Sequence, residues 1–311
     1  MKCRETFSSL RNLMLQTIDE FDDFTRKILQ MASILGHTFT FDEIVGLSKQ
    51  VLSINEGKMA DHIKKVEESL KLVAKKGIID DNAPHQSVST EFFSLQQISA
   101  SSIVEGCDED DYIDDFTDNE TVNGTFYQFC HDSWRQAVLS LLLDSYKQDM
   151  HLHAAKSIES RMLSSDDADY HTKIRLFNHL KLGRDHCKAT DVALAVGKSF
   201  IVMSLSLHSI YIYNETLDMW RGSSVNNGDE TIAGIPLHVV RSVNKDCLKS
   251  IVQLLTSLGQ ALGTTLTKKA ESGKVFEDAL EVSLNMAIIL CITSPSNLFC
   301  FLPCTDFEKM S

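Results

Sequence analysis

Gly197-Lys198-Ser199 matches the last three residues of a phosphate-binding loop, G-x-x-x-x-G-K-[ST], in which backbone amides and a lysine hold phosphate oxygens. The glycine that should open the loop is Val192, and the three residues lie in an apolar run of helical period rather than after a strand. Gly197 therefore reads as a small packing residue. No other segment offers a complete loop, so the chain is expected to hold no ATP in a cradle of its own and to carry no cofactor. His151 and His153 stand two apart, which on a helix points them away from each other and makes them poor joint metal ligands. With no nucleophile elbow, paired carboxylate set or H-E-x-x-H, no catalytic residue and no enzyme are expected. Cys130 and His131 are adjacent at a strand end, where neighbouring side chains face opposite ways, which disfavours a thiolate with its base.

Charge narrows the partner classes. The 311 residues carry 43 acids against 30 bases, a net charge of -13, which argues against a surface devoted to polyanions. Nine of those acids lie in Glu105 to Glu120 with no base among them, a composition that repels itself and stays solvated. As a calcium loop the segment fails, because Tyr112 and Ile113 fall where a ligand and the turn glycine belong. Without these nine, 34 acids face 30 bases, a net of -4, and a local basic patch stays open. Lys64, Lys65, Lys71 and Lys75, in a run also holding Asp61, Glu67 and Glu68, are candidates for a DNA-reading face or for an ordinary solvated helix face. The eight cysteines are scattered with no C-x-x-C, which excludes a zinc tetrahedron and fits a reduced, cytoplasmic setting. Met1 to Leu10 has no apolar segment of a secretory signal. The uncharged stretch 282–305 is interrupted by Ser283, Asn285, Thr293, Ser294, Pro295, Ser296 and Asn297. It reads as a buried helix followed by an apolar tail rather than a membrane span.

The elements that position these residues follow from periodicity. Four prolines and fourteen glycines leave few obligatory turns, so a mostly α fold is expected. Phe21, Phe24, Ile28, Met31 and Leu35 predict a helix over about 18–35, ended by Gly36. Thr38 to Phe41 precedes a short helix with acids in its first turn, and Met59, Ile63, Val66, Leu70 and Val73 mark the core face of a third, closed by Gly77. Ile78-Ile79 and Thr125 to Phe129 resemble strands. Asp132 is placed as an N-cap, with two helices following to Met162. Further helices are expected over about 172–182, 189–205, 208–220, 248–262 and 276–290. In the last pair, Leu255, Leu258, Gly259 and Leu262 fit a tetratricopeptide first helix and Ala279, Ser283 and Met286 the small positions of its second, with a loop about eight residues too long.

The run DEFDDFTRKILQMASILGHTFTFDEIVGL, then EESLKLVAKKGII, FCHD before AVLSLL, MHLHAAKSIES and successive helices resembles the region after the nucleotide-binding domain of STAND-type signalling ATPases. Similar regions occur in AAA-like ATPases fused to class III cyclases or kinases and in large LuxR-type regulators. The resemblance implies a winged-helix domain at 1–160, and the acidic insertion at about 81–124, expected from its composition to be disordered, departs from the short connection usual in that family. A tetratricopeptide-like array at 161–290 and an irregular apolar tail at 291–311 follow. It implies that His131, with Asp132, approaches the phosphates of ADP on an ATPase domain in cis or trans; His131 also fits a corner-packing role. A helix N-terminus beside an imidazole favours such an anion. The expected function is a non-catalytic regulatory and protein-interaction module, a fragment or truncated product of a longer ATPase. The alternative is a DNA-binding winged-helix regulator.

Overall fold

The structure is a computed structural model that describes residues 2–81, 125–163, 170–222, 231–232, 234–264 and 269–293. The acidic insertion and most of the expected tail lie outside them. The protein is mostly helical with little sheet, and it divides between Thr172 and Lys173 into two compact units.

In the first unit the order is α1 (Lys2–Asp19), α2 (Asp23–Leu35), β1 (Thr38–Thr40), α3 (Phe41–Leu52), a 3-10 turn (Glu56–Lys58) and α4 (Met59–Lys75). Then come β2 (Ile79–Asp80), β3 (Phe126–Phe129), α5 (Asp132–Leu139) and α6 (Asp144–Met162). The single helix expected over 18–35 is two: the Asp22 side chain accepts from the Thr25 amide at 3.3 Å, starting α2 afresh. Gly36 and Gly77 do end their helices, at φ 137° and 70°. Thr40 caps α3 in a reciprocal box with Glu43. The strands form an antiparallel sheet in the order β1-β3-β2, with Phe39 opposite Tyr127 and Ile79 opposite Phe129. Phe39 stacks on Tyr127 at 5.7 Å between centroids. The buried stripe of α4 is His62, Val66, Ser69, Leu70 and Val73, rotated from the expected one. Its polar members are satisfied: Ser48 Oγ lies 2.8 Å from His62 Nε2, and Thr25 Oγ1 donates to Ser69 Oγ at 3.2 Å. Gly46 lets α3 approach α6, for a Cβ there would stand 2.5 Å from Ser157 Oγ.

The second unit holds most of α7 (Tyr170–Leu182), then α8 (His186–Val202), α9 (Ser206–Arg221), a β4–β5 hairpin (Thr231–Ile232, Ile235–Pro236), α10 (Leu237–Ser242), α11 (Lys245–Thr264) and α12 (Lys269–Thr293). Two helix hairpins result, α8–α9 and α11–α12, and α11 packs on both α8 and α9. Trp220, Tyr213, Ile251, Leu254, Leu255 and Leu258 are buried among them. The loop expected over 264–273 is shorter, since α12 already begins at Lys269, and the helix continues through Cys291–Thr293. Cys187 and Cys247, which lack any paired spacing in the sequence, are joined by a disulfide that links α8 to α11. That pair corrects the expectation of scattered thiols. No described helix is long and apolar enough to cross a membrane.

Candidate functional site

The corner between β3 and α5 carries the residues singled out for nucleotide sensing. β3 is the central strand, and the Cys130 amide donates to Ile78 O at 3.0 Å, extending its pairing with the β2 side by one residue. The chain then turns into α5, and His131 rather than Asp132 is the N-cap. Its backbone is extended (φ -153°, ψ 139°), and Nδ1 accepts from the Ser133 amide at 3.1 Å. A neutral ring whose Nδ1 accepts carries its proton on Nε2, so the exposed face of His131 is a donor. Asp132 takes the first helical position, where an acid suits the helix dipole. Its carboxylate accepts from Gln136 Nε2 at 3.4 Å and lies 3.8 Å from Arg135 Nη1. Arg135 also donates from Nε to Ser33 O at 3.0 Å, near the end of α2, which ties the corner to the helical layer. No sequence reading singled out Arg135.

Beside this corner lies an open cavity of about 460 Å³ lined by Lys71, Ala74, Lys75, Gly77, Ile79, Asp80, Asp81 and Cys130. Cys130 lines it and His131 does not, so the two adjacent side chains diverge. Partial burial, aided by Asp80, pushes the Cys130 thiol up, the wrong direction for a nucleophile. Lys64, Lys65, Lys71 and Lys75 are all exposed on α4, in differing surroundings. Lys71 and Lys75 line the cavity together with two aspartates. Lys71 Nζ bonds Glu67 Oε1 at 2.6 Å, which holds its ammonium above its ordinary range, and Lys65 sits over the Phe24 ring at 5.2 Å.

Gly197, Lys198 and Ser199 lie inside α8, and Ser199 Oγ donates to Ala195 O at 3.1 Å, so their amides and side chains form no loop. Gly197 is buried against Tyr213: a Cβ there would stand 2.5 Å from Oη and overlap Cε1 and Cζ. The second hairpin repeats the arrangement. A Cβ on Gly259 would stand 2.9 Å from Phe276 Cζ, and Ser272 Oγ donates to Gly259 O at 2.8 Å. This corrects the register of α12 by about two turns, because Ser272 and Phe276 face Gly259 where Ala279 and Ser283 were expected to begin the match. Ala279 is buried one turn further on. The signal was present as a small residue followed four later by an aromatic, in Ser209 and Tyr213 and in Ser272 and Phe276.

His151 and His153 form no ligand pair. His151 is buried on α6, where burial and then Arg135 lower its imidazole to about 4. No group of three or more metal-binding side chains occurs among the described residues. No protein family, curated protein or solved structure matches the chain.

Proposed function

We propose that the chain is a non-catalytic regulatory and protein-interaction module, a winged-helix domain followed by a tetratricopeptide-like arm, of the kind that STAND-type signalling ATPases carry after their nucleotide-binding domain. The observation that carries the reading is the repeated small-on-aromatic contact of the two hairpins. Ala193, Val196, Gly197 and Phe200 on α8 and Leu255, Leu258, Gly259 and Leu262 on α11 have the spacing W-x-x-L-G-x-x-Y of a tetratricopeptide first helix. Ser209 with Tyr213 and Ser272 with Phe276 supply the A-x-x-x-F of the second. The second hairpin is one residue longer between these positions, and the first has alanine in place of the large opening residue.

In the first unit, the sequence of α2, β1, α3, α4, β2 and β3 with sheet order β1-β3-β2 supports the winged-helix reading. His131 is then a phosphate sensor for ADP held by an ATPase domain in cis or trans. Its Nδ1 is occupied by the cap, its Nε2–H faces outward, and the first amides of α5 add positive potential. The chain itself brings no cofactor and acts in the cytoplasm. The pairing of Lys71 with Glu67 and the nearby Asp80 and Asp81 weigh against the DNA-binding alternative.

Two measurements test this. Calorimetry of residues 1–311 with magnesium-ADP and magnesium-ATP is expected to give no tight binding; tight magnesium-dependent binding overturns the non-catalytic reading. The coding sequence upstream of Met1 is expected to be open and to encode a complete G-x-x-x-x-G-K-[ST] loop. An in-frame stop there removes the parentage in cis.

A further inference from the structure

Cys187 and Cys247 each sit in the first turn of a helix. Cys187 is the second residue of α8, whose cap Asp185 accepts from the Lys188 amide at 3.2 Å. Cys247 is the third residue of α11, and its own amide donates to Asn244 Oδ1 at 2.8 Å. Helix N-termini favour thiolates, an effect that burial opposes at Cys247, and a disulfide whose reduced sulfurs are favoured opens more readily. The two residues are unequal in burial: Cys247 is 4% exposed, whereas Cys187 is only partly buried and is the side from which a thiol would approach.

From this placement we propose that the Cys187–Cys247 bond is a reversible thiol–disulfide latch between the first helices of the two hairpins, exchanged by low-molecular-weight thiols and disulfides of the glutathione class. In the opening direction a thiolate attacks Cys187 Sγ, the Sγ–Sγ bond breaks, and Cys247 Sγ leaves with the electron pair at the start of α11. A second thiolate attacks the outer sulfur of the mixed disulfide and releases Cys187 Sγ as a thiolate. Two small thiols thereby become one small disulfide, two electrons pass to the protein pair, and the protein thiolates take up protons from solvent according to pH. Closing is the reverse, with the small disulfide as oxidant.

Opening leaves a weaker tie in place. Ser250 Oγ still donates to Asp191 Oδ1 at 2.6 Å, one turn along from each cysteine. The first turn of α8 is also coupled to α9, because Trp220 Nε1 donates to Thr190 Oγ1 at 2.9 Å and the His186 ring meets the Trp220 ring edge-on at 5.2 Å. The redox state of the pair therefore sets how firmly the start of α8 is held, and α9 feels it through Trp220.

The test equilibrates residues 1–311 without oxygen in glutathione buffers graded from reduced to oxidised, followed by acid quench, alkylation and peptide mass spectrometry. Amide hydrogen exchange is read on the same samples. The cross-linked 187–247 peptides are expected to give way to doubly alkylated ones within the series, with exchange in the first turns of α8 and α11 rising several-fold in step. Cys187→Ser should show the fast exchange at every ratio, and it serves as control if Cys247→Ala, at the buried end, fails to fold. A cross-link that survives the most reducing buffer, one that never forms in the most oxidising, or exchange that ignores the bond state would each overturn the latch.

Discussion

The Gly197 α-carbon lies so close to the Tyr213 ring that a β-carbon has no room between them. Two opposed effects decide what alanine does there. Alanine improves helix propensity by about 1 kcal/mol over glycine, whereas overpacking a buried contact costs about 1–3 kcal/mol. Since the ring is fully buried and cannot swing into solvent, overpacking wins. Gly197→Ala should lower the stability of the second unit by up to about 2 kcal/mol in urea unfolding. Gly273, in α12 with open space around it, is the control: Gly273→Ala should stabilise by up to about 1 kcal/mol. A loss at 273 or a gain at 197 would contradict the packing.

What the sequence made legible was local. Gly36 and Gly77 end helices because only glycine takes their positive φ without strain, and Thr40 with Glu43 announces α3 by its own side-chain chemistry. Gly197 was readable as packing because the phosphate-loop pattern around it was incomplete. Three features needed the third dimension. The break before α2 was hidden because Phe21, Phe24 and Ile28 keep a helical period across it while Asp22 caps it. The register of α12 was missed because Gly273 looks like a loop residue but lies within the helix. The Cys187–Cys247 bond spans 60 residues, and no spacing rule reaches that far. At the candidate site, only the resemblance draws attention to His131, and its capping role does not show in the sequence because histidine lies outside the usual Ser, Thr, Asp and Asn caps.

That capping role separates two substitutions. His131→Ala leaves the Ser133 amide without its acceptor and should cost about 1 kcal/mol of first-unit stability. His131→Asp keeps an acceptor and adds a negative charge at the helix N-terminus, so stability should be kept. The aspartate nevertheless repels phosphate. On the proposed sensor role of His131, both variants should bind an ADP-loaded ATPase domain more weakly than the parent, while only the alanine loses stability. Equal stability losses in denaturant titrations would remove the cap from the account.

The lysines of α4 give a prediction that separates the rival readings. Each phosphate contact made by a lysine adds about one unit to the salt slope of DNA binding, so a four-lysine face would be strongly salt-dependent. Because Lys71 is paired with Glu67 and shares its cavity with Asp80 and Asp81, residues 1–311 should give no salt-sensitive shift of duplex DNA. A shift that vanishes when Lys64, Lys65, Lys71 and Lys75 become Glu would instead favour the regulator.

Acid should loosen the first unit before the carboxylates titrate. His151 is held near 4 in the folded protein, against 6.5 in the unfolded chain. Between these values the unfolded chain binds a proton that the folded one refuses, so stability falls as pH drops from 6.5 towards 4 and is unaffected by this group above that range. The loss at pH 5 relative to pH 7 should be about 2 kcal/mol from His151. His62, whose imidazole is lowered by burial and then by Lys65, adds in the same direction. His151→Leu removes the larger share by replacing a buried imidazole with a side chain that cannot charge. The variant should therefore show a flatter stability profile between pH 7 and pH 5 than the parent, with His62→Leu flattening it less; identical slopes for all three proteins would place the acid lability elsewhere.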